Sequence, residues 1–110
     1  MSESFIYVTC SGETEAETIG AMLVAKRLAA CVNILPGMRS LYWWQGKVER
    51  GEEVVLIAKT RNDLVAPLTE AVTAAHGYDV PCVVSLPITG GNPDFLAWIR
   101  AETSGEYEPR

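Results

Sequence analysis

No run of apolar residues approaches the roughly eighteen that a helix needs to cross a bilayer, so no membrane partner is expected. Positive charge is also scarce: nine Lys and Arg stand against 14 Asp and Glu, for a net charge of −5. The basic residues are scattered, whereas binding a phosphate backbone needs them clustered on one face. Nucleic acid is therefore not expected as a partner. Histidine occurs once, at His76, with no nucleophile and orienting acid at a recognisable spacing. The carboxylates gather at helix starts and over Glu49–Glu53, where they look solvated, and no enzyme is expected. Cys10, Cys31 and Cys82 cannot all pair within the chain, are widely separated and include no CxxC clamp. The first residues lead directly into Phe5-Ile6-Tyr7-Val8, without the basic segment and apolar core of a secretory signal. Together these absences predict a reduced, cytoplasmic protein.

What is present is an ordinary globular composition, 48% apolar and 21% charged, enough for one domain over residues 1–110. The stretch from Leu28 to Thr60 dominates it. Two apolar, β-prone runs flank Gln45-Gly46-Lys47 and predict a long hairpin carrying Tyr42, Trp43 and Trp44. Such an arm is too long and too apolar for a small monomer.

In chain order, Phe5–Cys10 predicts a strand. A helix follows, with Thr14 and Glu17 as a capping box and Ala16, Ile19, Gly20, Leu23 and Val24 on one face. Arg27 falls near that face, so either the helix stops there or Arg27 reaches a polar partner across an interface. Cys31–Leu35 and Ser40–Trp44 form one strand bent at Pro36-Gly37, and Val54–Thr60 returns beside it. Asn62 is expected to cap a second helix with the stripe Leu64, Leu68, Ala71, Val72 and Ala75. Pro67 should remove one hydrogen bond in its second turn, and Gly77 should close it. Pro81–Ile88 is another strand, Pro93 opens a short amphipathic helix with Phe95, Leu96, Trp98 and Ile99, and residues 102–110 are expected to form a flexible polar tail. The order β-α-β-β-α-β defines an α+β, ferredoxin-like antiparallel sheet with helices on one face. Val54–Ala58 is apolar on both faces, so the second face should be covered too, by other subunits of an oligomer.

Several residues are candidates for chemistry. Cys10, Cys31, Cys82 and His76 offer thiolate and imidazole ligands suited to copper or zinc, or are buried hydrophobes and, for His76, a helix C-cap. Trp43 and Trp44 could stack a ligand or bury in an interface. Lys59 on an apolar strand needs a partner, lining an intersubunit pocket or ending the strand. Gly90-Gly91-Asn92 ahead of a helix could take an anion or be a plain loop. No organic cofactor is evident.

Leu28-Ala29-Ala30-Cys31-Val32-Asn33-Ile34, Leu41-Tyr42-Trp43-Trp44-Gln45-Gly46-Lys47 and Glu53-Val54 with Lys59-Thr60 strongly resemble the CutA family. His76-Gly77-Tyr78-Asp79-Val80-Pro81 and Asn92-Pro93-Asp94-Phe95-Leu96-Ala97-Trp98-Ile99 match further segments. The resemblance spans roughly residues 5 to 100. It implies a ferredoxin-like homotrimer with hairpin arms in intersubunit sheets, a link to divalent-cation tolerance and the response to metal ions, and binding of copper or another divalent cation. Family members with copper ligands use a cysteine matching Cys10 and a histidine in the segment of His76. A second histidine of some members is Ala75 here, and the usual following proline is Gly77. The family's trimer resembles that of PII signalling proteins, which implies a small-molecule or protein ligand in an intersubunit cleft. Cys31, Trp43, Trp44, Lys59 and Tyr78 are the candidates to line that pocket or to lie in the interface.

Overall fold

The structure is a computed structural model and describes residues 2–104. Four strands form one antiparallel sheet: β1 (Glu3–Cys10), β2 (Cys31–Trp44), β3 (Lys47–Arg61) and β4 (Val83–Ile88), in the order β2-β3-β1-β4. Helices α1 (Glu13–Ala25), α2 (Val65–Ala75) and α3 (Pro93–Glu102) complete it, with a short 3-10 turn, Asn62–Leu64, ahead of α2. This is the ferredoxin-like arrangement expected from the element order.

Alternation along the central strands divides the sheet into two faces. Ile6, Val8 and Cys10 of β1 and Val54, Leu56 and Ala58 of β3 point to one face and bury against Ala16, Ile19 and Leu23 of α1 and Leu68 and Val72 of α2. The other face carries Phe5, Tyr7 and Thr9 opposite Lys59, Ile57 and Val55. At one end α3 crosses this second face, where Lys59 Nζ lies 5.8 Å from the Phe95 ring and Arg100 Nη1 donates to Glu3 Oε2 at 2.7 Å. Elsewhere that face is open within the subunit, with Leu35, Val84 and Leu86 each 49% exposed.

The β2–β3 ribbon behaves as the sequence predicts. Trp44 and Lys47 pair across a two-residue turn in which Gln45 (φ 51°) and Gly46 (φ 82°) are both left-handed. That geometry matches the twist of the strands, and glycine adopts it without a Cβ clash. Pro36 and Gly37 make the expected bulge: Leu35 faces Val55 and Met38 faces Glu53, so two residues of β2 stand opposite one of β3.

Helix ends differ from expectation. The N-cap of α1 is Gly12, with no side-chain cap bond, and Thr14 lies inside the helix; Glu15 turns back to Ser11 instead. Val24 is exposed, so the buried stripe ends at Leu23. The helix stops at Ala25, and Arg27, at φ 60°, pairs with Glu102 of its own chain at 2.9 Å. Asn62 does not cap α2; its side chain accepts from Ser4 Oγ, tying the end of β3 to β1. Ala75 is exposed, and only Leu68 and Val72 of α2 are buried. Pro67 is the third residue of α2, in the first turn where amides have no intrahelical acceptor, so the helix loses no bond there. Glu102 and buried Thr103 are held in place; the remainder of the expected tail, 105–110, lies outside the described residues.

Candidate metal centre

Cys10 closes β1 with its side chain in the helix-side core, wholly buried. Ser11-Gly12 then turns the chain into α1, which delivers Glu15 back over the turn. Glu15 Oε1 accepts from the Ser11 amide at 2.8 Å and its hydroxyl at 3.0 Å, while Oε2 accepts from the Gly77 amide at 2.8 Å. Gly77 is not a left-handed helix stop. A Cβ there would lie 3.0 Å from Glu15 Oε2, so a larger residue would press on the carboxylate as it is placed here.

His76 leaves α2 in an extended conformation (φ −83°, ψ 148°), and its buried ring reaches β1 instead of the final helix carbonyls. The Tyr78 amide donates to Nδ1 at 3.1 Å, which fixes the proton on Nε2, and Nε2–H donates to the Thr9 carbonyl at 2.7 Å. Nδ1 also faces Glu15 Oε2 at 3.7 Å. Ligand atoms of Cys10, Glu15 and His76 all lie within 4.8 Å of one another. Cys10 and His76 were expected as ligands; Glu15 was not. Its signal in the sequence was its place in the first turn after Cys10, where an acid also complements the helix dipole.

Burial of the Glu15 carboxyl opposes its ionisation, but hydrogen bonds from the Ser11 and Gly77 amides and the Ser11 hydroxyl outweigh this and hold its pKa below the ordinary range. The Cys10 thiol moves the other way. Burial, with the charges of Glu15 and Glu53, pushes it to about 11 from 9.0. The folded protein thus holds this proton more tightly than the unfolded chain does. The resulting stability is whole below pH 9 and is lost as pH rises through 11, by about 2 kcal/mol at that pH. Urea unfolding at pH 8 and pH 11 should show this loss in the parent beyond that of Cys10→Ala; equal losses would remove the assignment.

The donor set fits a thiophilic cation. Two ligands at about 2.1 Å on a tetrahedral ion stand roughly 3.4 Å apart, close to the 3.7 Å between Glu15 Oε2 and His76 Nδ1. Thiolate with imidazole suits copper or zinc, and the Thr9 carbonyl on Nε2 orients the ring as the outer partner of a metal-bound histidine does. Cys10 would have to give up its proton on binding.

Beside the cluster, on the open face of the sheet, is a cavity of about 820 Å³ whose wall includes Gly77, Tyr78, Tyr42, Trp44 and Cys82. Tyr78 OH donates to Glu53 Oε2 at 2.8 Å, and its ring lies 4.7 Å from that of His76. Burial and the Glu53 carboxylate raise the Tyr78 phenol above its ordinary range. Of the remaining candidates, Trp44 joins this cavity, while Trp43 points away and is 74% exposed. Cys31 and Lys59 pair with each other at the far end of the ribbon, about 40 Å from Trp44 along the strand. Lys59 finds its partner in Asn33 Oδ1 at 2.8 Å. One cleft within a subunit therefore does not hold both Lys59 and the tryptophans. At the Gly90-Gly91 loop, Asn92 Oδ1 accepts from the Asp94 amide at 3.0 Å, capping α3 through its own side chain.

A four-stranded ferredoxin-like sheet with a cysteine, a carboxylate and a histidine gathered at the β1–α1 turn defines a small α+β domain with one candidate cation site. A sequence model of the family described as CutA1 divalent ion tolerance protein matches residues 4–102, and the chain belongs to that family. It is 47% identical over 98 residues to Protein CutA 1, chloroplastic, of Oryza sativa subsp. japonica, covering 89% of this chain and 55% of that one. It is 46% identical over 101 residues to the divalent-cation tolerance protein CutA of Thermus thermophilus, covering 92% and 98%. The crystal structure of CutA1 from Oryza sativa superposes with a TM-score of 0.92 at 44% identity, covering 96% of each chain. The chain spans about half the length of the plant relatives, 55% and 54%. No helix among the described residues is long and apolar enough to cross a membrane.

Proposed function

We propose that the chain is a homotrimeric metal-responsive protein, not an enzyme, taking up copper or another thiophilic cation at Cys10, Glu15 and His76. The observation that carries this reading is the convergence of their three ligand atoms within 4.8 Å. Relatives named for divalent-cation tolerance support the link to metal ions. Exposed Leu41 (60%), Trp43 (74%) and Val48 (55%) on the outer ribbon support an arm laid against neighbouring subunits. Three free thiols suit a reducing compartment such as the cytoplasm. Native mass spectrometry of reduced protein titrated with Cu(I) tests it. A trimer is expected to take one copper per subunit, and Cys10→Ser to bind at least roughly tenfold more weakly. A trimer that stays bare against a modest competitor would retire the metal reading, and a monomer would retire the oligomer.

The cavity favours a second reading, a trimer that binds a small molecule or partner protein between subunits. Thermal stabilisation by a metabolite, with none by copper, would select it.

A further inference from the structure

The two atoms that face each other at 3.7 Å, Glu15 Oε2 and His76 Nδ1, are the two that hold the backbone after α2. Oε2 anchors the Gly77 amide, and Nδ1 anchors the Tyr78 amide. A carboxylate oxygen has a second lone pair and can keep Gly77 while binding a cation. An imidazole nitrogen has only one. The other ring nitrogen does not offer a way out, because it carries the proton donated to the Thr9 carbonyl at 2.7 Å. Use of Nδ1 as a ligand therefore displaces the Tyr78 amide.

From this competition we infer that metal occupancy of the cluster unlatches Tyr78 and reshapes the adjoining cavity, so that the two act as one switch. The inference rests on the metal reading above. Tyr78 is suited to transmit the change because it touches both sides. Its amide and ring meet His76, at 3.1 Å and 4.7 Å, and its hydroxyl grips Glu53 at 2.8 Å. Glu53 and Tyr78 both line the cavity, with Tyr42 and Trp44 of the ribbon on its wall. An occupant that holds Tyr78 in its latched position weakens cation binding, and by linkage the cation weakens that occupant by the same factor.

Hydrogen exchange on the intact protein, with and without Cu(I), reads the latch directly. The Tyr78 amide should exchange at least roughly tenfold faster in the copper-loaded protein, while α3 is unchanged. Protein shown by native mass spectrometry to carry one copper per subunit, yet with Tyr78 protection unaltered, would overturn the switch and leave the metal site standing. Failure to take up copper would overturn both. Tyr78→Phe gives an independent reading, since it keeps the amide and frees the ring from Glu53. Copper affinity should rise roughly three- to tenfold as the latch loosens; an unchanged or lower affinity would count against the switch.

Discussion

Arg100→Ala is expected to lower the free energy of unfolding by about 3 kcal/mol. Glu3 begins β1 with its side chain only 4% exposed, and Arg100, in the last turn of α3, supplies its countercharge at 2.7 Å. Without the guanidinium a carboxylate remains in the interior with nothing to offset its lost hydration. Because Arg100 is itself 35% exposed, water reaches part of the site, which places the effect at the lower end of the range for broken buried pairs. Glu3→Gln in the same background should restore much of the loss, since a neutral amide tolerates the site better. Urea unfolding of the two variants beside the parent decides it, and a loss under about 0.5 kcal/mol in Arg100→Ala would show the pair to be worth no more than a surface bridge. Copper uptake should be unaffected, because Glu3 and Cys10 stand at opposite ends of β1 and distant sites act independently.

A loss of similar size, about 3 kcal/mol, is expected for Leu56→Ala. Leu56 lies on the central part of β3, wholly buried, opposite Val8 of β1 and Ile34 of β2 and beneath the two helices. Strands on both sides and helices above restrict collapse, so the transfer loss is joined by a cavity. The midpoint of urea unfolding should fall with its slope unchanged. A loss below about 1 kcal/mol would mean that α1 and α2 settle into the space.

The sheet was legible because its signals are local and repeat. β-branched runs, the left-handed Gln45-Gly46 pair and the Pro36-Gly37 bulge each determine their own geometry within a few residues. The helix ends were not, because distant partners decide them. Thr14 with Glu17 has the spacing of a capping box, yet Glu15 is drawn back to Ser11 and across to Gly77, 62 residues away. No period in the sequence records that contact. His76 follows the same pattern: its place at the end of α2 suggests a cap, but the Thr9 carbonyl, 67 residues distant, claims its ring. Asn62 loses its capping role to Ser4 in the same way. At the candidate site, ligand chemistry offers Cys10 and His76 among four residues and the family resemblance singles out that pair, whereas the place of Glu15 depends on the β1–α1 turn and the end of α2 lying side by side. Lys59 and the tryptophans share one hairpin in the sequence, and the length of that hairpin keeps them apart within a subunit, leaving the intersubunit cleft to the arm of a neighbouring copy.

The burial of Cys10 has a consequence for the protein under oxidative stress. Thiols are oxidised as thiolates and only where a reagent can reach them. In the metal-free protein Cys10 is wholly buried and its thiol stays protonated at neutral pH, whereas Cys31 and Cys82 are partly exposed. Peroxide would therefore spend itself on the two cysteines outside the cluster, and the sulfur best placed to hold a cation would be the last of the three to be damaged.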